Sequence, residues 1–103
     1  MTKYGAIRTE IDGVTFASRA EARRYAELKL LERAGEIAQL ELQPRYPLVV
    51  NGVKVATYVG DFRYIDRNGI AVEDVKGMRT PVYRLKAKLM LAVHGITVRE
   101  VSA

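Results

Sequence analysis

Cysteine is absent from these 103 residues, histidine occurs once and proline three times. Without cysteine the chain forms no disulfide and offers no thiolate to a metal. A lone histidine, His94, cannot build a multi-histidine zinc site, and its place near a helix end gives it a structural reading. Any metal must be held by oxygen, which points to Mg2+, with Mn2+ as its substitute. No apolar run approaches the roughly 18 residues of a membrane span, and no secretion signal is visible. The expectation is a cytoplasmic protein with no membrane partner and no small-molecule cofactor.

Hydrophobic residues make up 49% of the chain and charged residues 28%. This length and mixture fit a single domain over residues 1–103. The net charge of +5 suits a polyanionic partner such as nucleic acid. Residues 1–8, with Lys3, Tyr4 and Arg8, read either as a frayed terminus or as a basic arm.

Residues 9–16 read as two short strands around Asp12-Gly13. Ser18-x-x-Glu21 forms a capping box, and Gly35 marks the end of the helix that follows. Ala22, Tyr25, Ala26, Leu28, Leu30 and Leu31 give that helix a broad apolar surface. Residues 37–42 read as extended, and Pro44 and Pro47 call for a bend or an edge strand. Asn51-Gly52 between apolar runs signals a type I′ hairpin. Thr80 is an N-cap with Pro81 at the first helical position. Val82, Leu85, Leu89 and Val93 form the expected core stripe of this second helix. It stops at Gly95, and residues 96–101 make a last strand. The order is hairpin, helix, three or four mixed strands, helix, strand. Apolar residues on both sides of the central strands require a helix on each face.

Ionisable groups interrupt the apolar pattern at Asp61 and at Glu73-Asp74-Val75-Lys76. A buried carboxylate costs several kcal/mol, roughly, unless something compensates it. The turn signal Asp66-Arg67-Asn68-Gly69 joins the two segments in a hairpin. A two-residue Asn68-Gly69 loop sets Asp61 opposite Lys76; a four-residue loop sets Ile65 opposite Ile70 and Asp61 opposite Asp74. In both registers Asp61, Asp74 and Lys76 share one face, with Cβ atoms roughly 5–8 Å apart. An odd loop without a bulge turns Asp61 to the other face. Asp61 and Lys76 also read as a plain cross-strand ion pair, and Asp74 as an edge residue. Glu73 is the rival acid, on the opposite face from Lys76. Glu21 is explained as a helix cap without any further role.

An early helical glutamate, then an aspartate, then Asp/Glu-x-Lys on the adjoining strand, then a basic helix, resembles the PD-(D/E)XK nuclease superfamily. The matching positions are Glu21, Asp61, Asp74 and Lys76, in that order. The likeness is greatest to small phage-encoded members, including Holliday junction resolvases, and spans residues 9–101. The segments that carry it are Phe16-Ala17-Ser18-Arg19-Ala20-Glu21, Gly60-Asp61-Phe62 and Glu73-Asp74-Val75-Lys76-Gly77. One departure is Gly60, where the family motif has proline. The resemblance implies an α+β, restriction-endonuclease-like core: a mixed central sheet flanked by two helices. It further implies Asp61, Asp74, the Val75 carbonyl and Glu21 around Mg2+, with Lys76 acting on the nucleophilic water or the transition state.

The function expected is metal-dependent, structure-selective DNA cleavage, with branched DNA as substrate and a homodimer as the working form. Arg79, Tyr83, Arg84, Lys86 and Lys88 on the second helix, and Gln43 before the hairpin, are the candidate DNA contacts. Leu48, Val50 and Val53 are candidate dimer contacts. The alternatives are a non-catalytic nucleic-acid-binding module, a subunit of a larger recombination machine, or a basic protein-interaction domain.

Overall fold

The computed structural model describes residues 7–103, so the expected arm at residues 1–8 falls largely outside the described residues. The described chain runs β1 (Thr9–Ile11), β2 (Val14–Phe16), α1 (Arg19–Arg33), β3 (Ala38–Leu42), β4 (Arg45–Val50), β5 (Val53–Val59), β6 (Phe62–Asp66), β7 (Gly69–Lys76), α2 (Pro81–His94) and β8 (Arg99–Ser102). Five strands separate the helices, where the sequence pattern had suggested three or four.

The central sheet has the order β3-β6-β7-β8. Its ladders are antiparallel except β7 with β8, which run parallel through the α2 crossover. Such a parallel pair needs a crossover long enough for a helix. The β1–β2 and β4–β5 hairpins form separate two-stranded ribbons. In the second, Asn51 and Gly52 both have positive φ, 50° and 77°, as a type I′ turn requires. Pro47 lies in this ribbon, where a missing N–H interrupts no central ladder.

Each helix begins where its cap directs. The Ser18 hydroxyl accepts from the Glu21 N–H, and that of Thr80 from the Tyr83 N–H, both at 3.1 Å. α1 buries Ala22, Tyr25 and Leu28 with Phe16, Phe62, Tyr64 and Val75. α2 buries Tyr83 and Met90 with Leu48, Tyr58 and Val72. Alternation along β7 thus feeds one core on each face of the sheet, and β6 adds Phe62 and Tyr64 to the α1 side. Leu28 is fully buried, so Leu28→Ala would cost about 2–5 kcal/mol.

Four apolar expectations are corrected. Leu30 and Leu31 of α1, and Val82 and Leu85 of α2, are exposed. The inward face of α2 is Tyr83, Ala87 and Met90, one helical stripe at i, i+4, i+7, with the expected Leu89 also packed partly buried against this core. Leu48 is completely buried and cannot contact a second chain, whereas Val50 and Val53 at the hairpin tip are exposed.

The β6–β7 register decides the site. Asp66 pairs with Gly69, Ile65 with Ile70 and Phe62 with Glu73. This is the second of the two expected registers. The Asp66 carboxylate accepts from the Asn68 N–H at 2.8 Å, so the loop is centred on Arg67-Asn68 rather than Asn68-Gly69.

Candidate functional site

β7 carries Glu73 and Asp74 side by side, and alternation sends them to opposite faces. Both are buried, with 2% and 3% of their surfaces exposed. On the α1 face, Arg24 grips Glu73 through Nε at 2.8 Å and Nη2 at 2.6 Å, and the Tyr64 hydroxyl donates to the same carboxylate. This bidentate pairing raises the Arg24 pKa above its ordinary value. Glu73 is thereby fully engaged inside the fold.

On the other face the Tyr58 hydroxyl donates to Asp74 Oδ2 at 2.7 Å, and Lys76 Nζ lies 3.0 Å from Asp74 Oδ1. Lys76 also sits 4.1 Å above the Tyr83 ring, a cation–π contact that fixes where its charge lies. Burial, and then the hydrogen bond to Asp74, push the Tyr58 hydroxyl well above its ordinary range, with a further contribution from Asp61. Tyr83 is shifted in the same direction by burial, its bond to Glu100 and the charge of Asp74.

Asp61 lies just before the last β6–β7 ladder pair. Its N–H donates to the Glu73 carbonyl, and its Oδ2 accepts from the Val75 N–H at 2.7 Å. Its carboxylate is therefore anchored beside the segment that carries Asp74 and Lys76, close enough to act on the same tyrosine hydroxyl. Gly60 explains the departure from proline. Its N–H donates to the Pro44 carbonyl at 3.0 Å, which proline could not do. A Cβ there would stand only 3.1 Å from Val72 and 3.2–3.3 Å from the Tyr58 ring and hydroxyl.

Glu21 is buried on the first turn of α1, with its Oε2 at 3.2 Å from the Ser18 hydroxyl. It combines the cap with a second position: it lines a recess together with Asp61 and Gln43. Among the described residues, no three Asp, Glu or His side chains gather as a metal-binding group. Asp61 and Asp74 are hard oxygen donors on adjoining segments: Asp61 is bonded to the Val75 N–H, and the charges of both act on the Tyr58 hydroxyl. Mg2+ is commonly held by one or two carboxylates while it keeps its waters, so this donor set fits that ion.

The expected DNA contacts separate. Tyr83 is mostly buried under Lys76, its hydroxyl donates to Glu100 at 2.9 Å, and it borders the recess that holds Asp74 and Lys76. Arg79 is exposed and pairs with Glu100 at 2.6 Å. Lys86 lines a recess of about 240 Å³ with Tyr58, Asp74 and Lys76. Arg84 and Lys88 are exposed, one turn apart, on the side of α2 away from Tyr83 and Met90. His94 bonds the Pro47 carbonyl at 2.8 Å, the structural role its position suggested.

Three partners were not foreseen from the sequence: Tyr58 on Asp74, Arg24 on Glu73, and Glu100 on Arg79 and Tyr83. Tyr58 was accessible to reasoning, because strand alternation from Ala56 turns it inward. Arg24 was not, since its distance from Glu73 depends on how α1 lies across the sheet.

Among the described residues no helix is long and apolar enough to cross a membrane. Comparison with curated proteins and with solved structures returned no match. A family model does match, over residues 1–100 of the 103, and its description is a protein of unknown function, DUF1064. The chain with this two-faced β7 strand belongs to the DUF1064 family.

Proposed function

We propose that the protein is a divalent-metal-dependent DNA endonuclease on a restriction-endonuclease-like core. One observation carries the reading. Asp61 is tied to the Val75 N–H, next to an Asp74 that is itself paired to Lys76. Two carboxylates and an ammonium thus meet at one end of a sheet, on a chain of net charge +5.

In this reading Asp61 and Asp74 hold Mg2+ or Mn2+, with the Val75 carbonyl and Glu21 as further oxygen donors. The ion, when bound, supplies charge neutralisation at the phosphate and a more acidic water. The protein's own residues supply the rest. Tyr58 orients the Asp74 carboxylate by donating to one of its oxygens. Lys76, held between Asp74 and the Tyr83 ring, presents a positive charge where a phosphate oxygen gains negative charge in the transition state. Lys86 extends that positive edge from α2 and binds the phosphate backbone.

A rival reading has support as well. Both Asp74 oxygens already have protein partners, which suits a module that binds nucleic acid without cutting it. A panel of branched, flapped, duplex and single-stranded DNA, with Mg2+, Mn2+ or chelator, separates the two. Metal-dependent cuts that vanish in Asp74→Asn support the nuclease. Binding without cuts on every substrate supports the module. Sedimentation with junction DNA tests the homodimer that a resolvase requires; a monomer favours a nicking enzyme or a subunit of a larger recombination machine.

A further inference from the structure

β7 and β8 run parallel, and their register sets Glu100 directly beside Asp74. Paired residues of a ladder share a face, so both carboxylates stand on the α2 side of the sheet. Like charges facing one another across a ladder repel, and a neutral residue at position 100 would remove that cost. The ion pair with Arg79 does not explain the acid. It leaves the Arg79 side chain 59% exposed, and solvated pairs of this kind contribute little to stability.

Both oxygens of Glu100 are engaged. Oε1 accepts from Arg79 Nη2 at 2.6 Å, and Oε2 accepts from the Tyr83 hydroxyl at 2.9 Å. The Tyr83 ring in turn lies under Lys76, whose Nζ is 4.1 Å from the ring centroid. A chain of contacts thus runs from Arg79 through Glu100 and Tyr83 to Lys76. Lys76, Arg79 and Glu100 line a common recess of about 380 Å³, so the chain ends at an open rim and not in packed core.

We propose that Glu100 is a positioning residue for Lys76, acting through the Tyr83 ring. The inference rests on the nuclease reading, in which Lys76 is the cation that meets the phosphate. Lys76 has two holds, the Asp74 carboxylate at 3.0 Å and the Tyr83 ring. In that reading Asp74 is shared with the ion, so the ring is the hold that stays with Lys76 alone. Glu100 acts on this hold in two ways. Its bond to the hydroxyl fixes the far end of the ring. A phenol donating to a carboxylate is also polarised, which makes the ring face more negative and its attraction for a cation stronger. Arg79 holds the other oxygen and keeps the carboxylate turned towards the hydroxyl. Burial, and then the bond to Glu100, raise the Tyr83 pKa, so the hydroxyl remains a donor at neutral pH.

The test reads Lys76 directly by nuclear magnetic resonance of the full-length protein, with Lys76→Arg assigning its signal. Protons above an aromatic face resonate upfield, so the wild-type Lys76 ε-methylene is expected upfield of the other lysines. Glu100→Ala is expected to move it towards the ordinary lysine position. The same variant should lower kcat for DNA cleavage with Mg2+ by about tenfold or more, with KM for DNA unchanged. Glu100→Gln, which keeps an acceptor for the hydroxyl, should retain part of both. Tyr83→Phe removes the hydroxyl, keeps the ring and should match Glu100→Ala; adding Glu100→Ala to it should change little further. A Lys76 signal that Glu100→Ala leaves unmoved overturns the inference. So does a wild-type signal that is not shifted, a loss carried by KM alone, or an additive double variant. Cleavage by the wild type with no Glu100-dependent Lys76 shift removes the positioning role alone; a Glu100-dependent shift without cuts under Mg2+ or Mn2+ removes the nuclease alone.

Discussion

Glu73 and Asp74 are neighbours on one strand, equally buried, and the molecule treats them in opposite ways. Glu73 points at α1, where a bidentate arginine and a tyrosine hydroxyl enclose it. Asp74 points at α2 and has only a tyrosine hydroxyl and a lysine, at the border of a recess. A buried charge needs a matched partner whether or not it has work to do. Burial and a strong ion pair therefore do not identify a site. The distinguishing feature is what adjoins the charge: packed core around Glu73, a second carboxylate and open space around Asp74.

The largest effect expected is on the Glu73 side. Arg24→Met leaves a buried carboxylate without its cation and should cost about 3–5 kcal/mol, read as a lower urea midpoint. Adding Glu73→Gln should restore part of that loss. A single variant as stable as the wild type would show that Glu73 is not held as described. On the Asp74 side the effect should fall on activity. Asp74→Asn should reduce cleavage at least about 10²–10³-fold, the scale of losing one preorganised electrostatic group, with a cooperative fold retained. Near wild-type cleavage would move the role elsewhere.

Tyr58→Phe removes a bond to an ionised carboxylate and should cost about 1.5–3 kcal/mol. Its hydroxyl is shifted upward by burial and by Asp74. That stabilisation is complete below the unfolded phenol pKa of about 10 and is lost as pH rises beyond it. Wild type should therefore lose more stability than Tyr58→Phe above about pH 10, as denaturation at a series of alkaline pH values would reveal. Equal losses would detach Tyr58 from Asp74. The smallest effect concerns α2. Lys86→Ala should lower the salt dependence of DNA binding by about 0.9 in log–log slope, one phosphate contact, whereas Lys88→Ala should leave it unchanged. Equal slopes for the two would place the DNA on the outer side of the helix.

Local signals made much of this arrangement legible. Ser18 and Thr80 start their helices, Asn51-Gly52 turns its hairpin, and an even register brings Asp61 towards Asp74. Other features depend on tertiary packing. α2 has apolar residues around most of its circumference, so periodicity allowed two inward faces; Tyr83 and Met90 won because they meet Val72 and Leu48. The β3 alternation is broken by a register shift between Ala38 and Glu41, with Gln39 at φ +56°. No composition signal announces such a bulge. The Gln43 recess was invisible as well, because it joins β2, α1, β3 and the start of β6, which are distant in sequence.

The most direct test is metal binding without any substrate. Mn2+ titrated into the purified protein, followed by electron paramagnetic resonance of the free ion, should reveal a saturable site. Asp61→Asn and Asp74→Asn should each weaken it strongly, and Arg84→Ala, at an exposed position of α2, should leave it intact. Saturable binding that both aspartate variants preserve, or no binding by the wild type, would contradict the account.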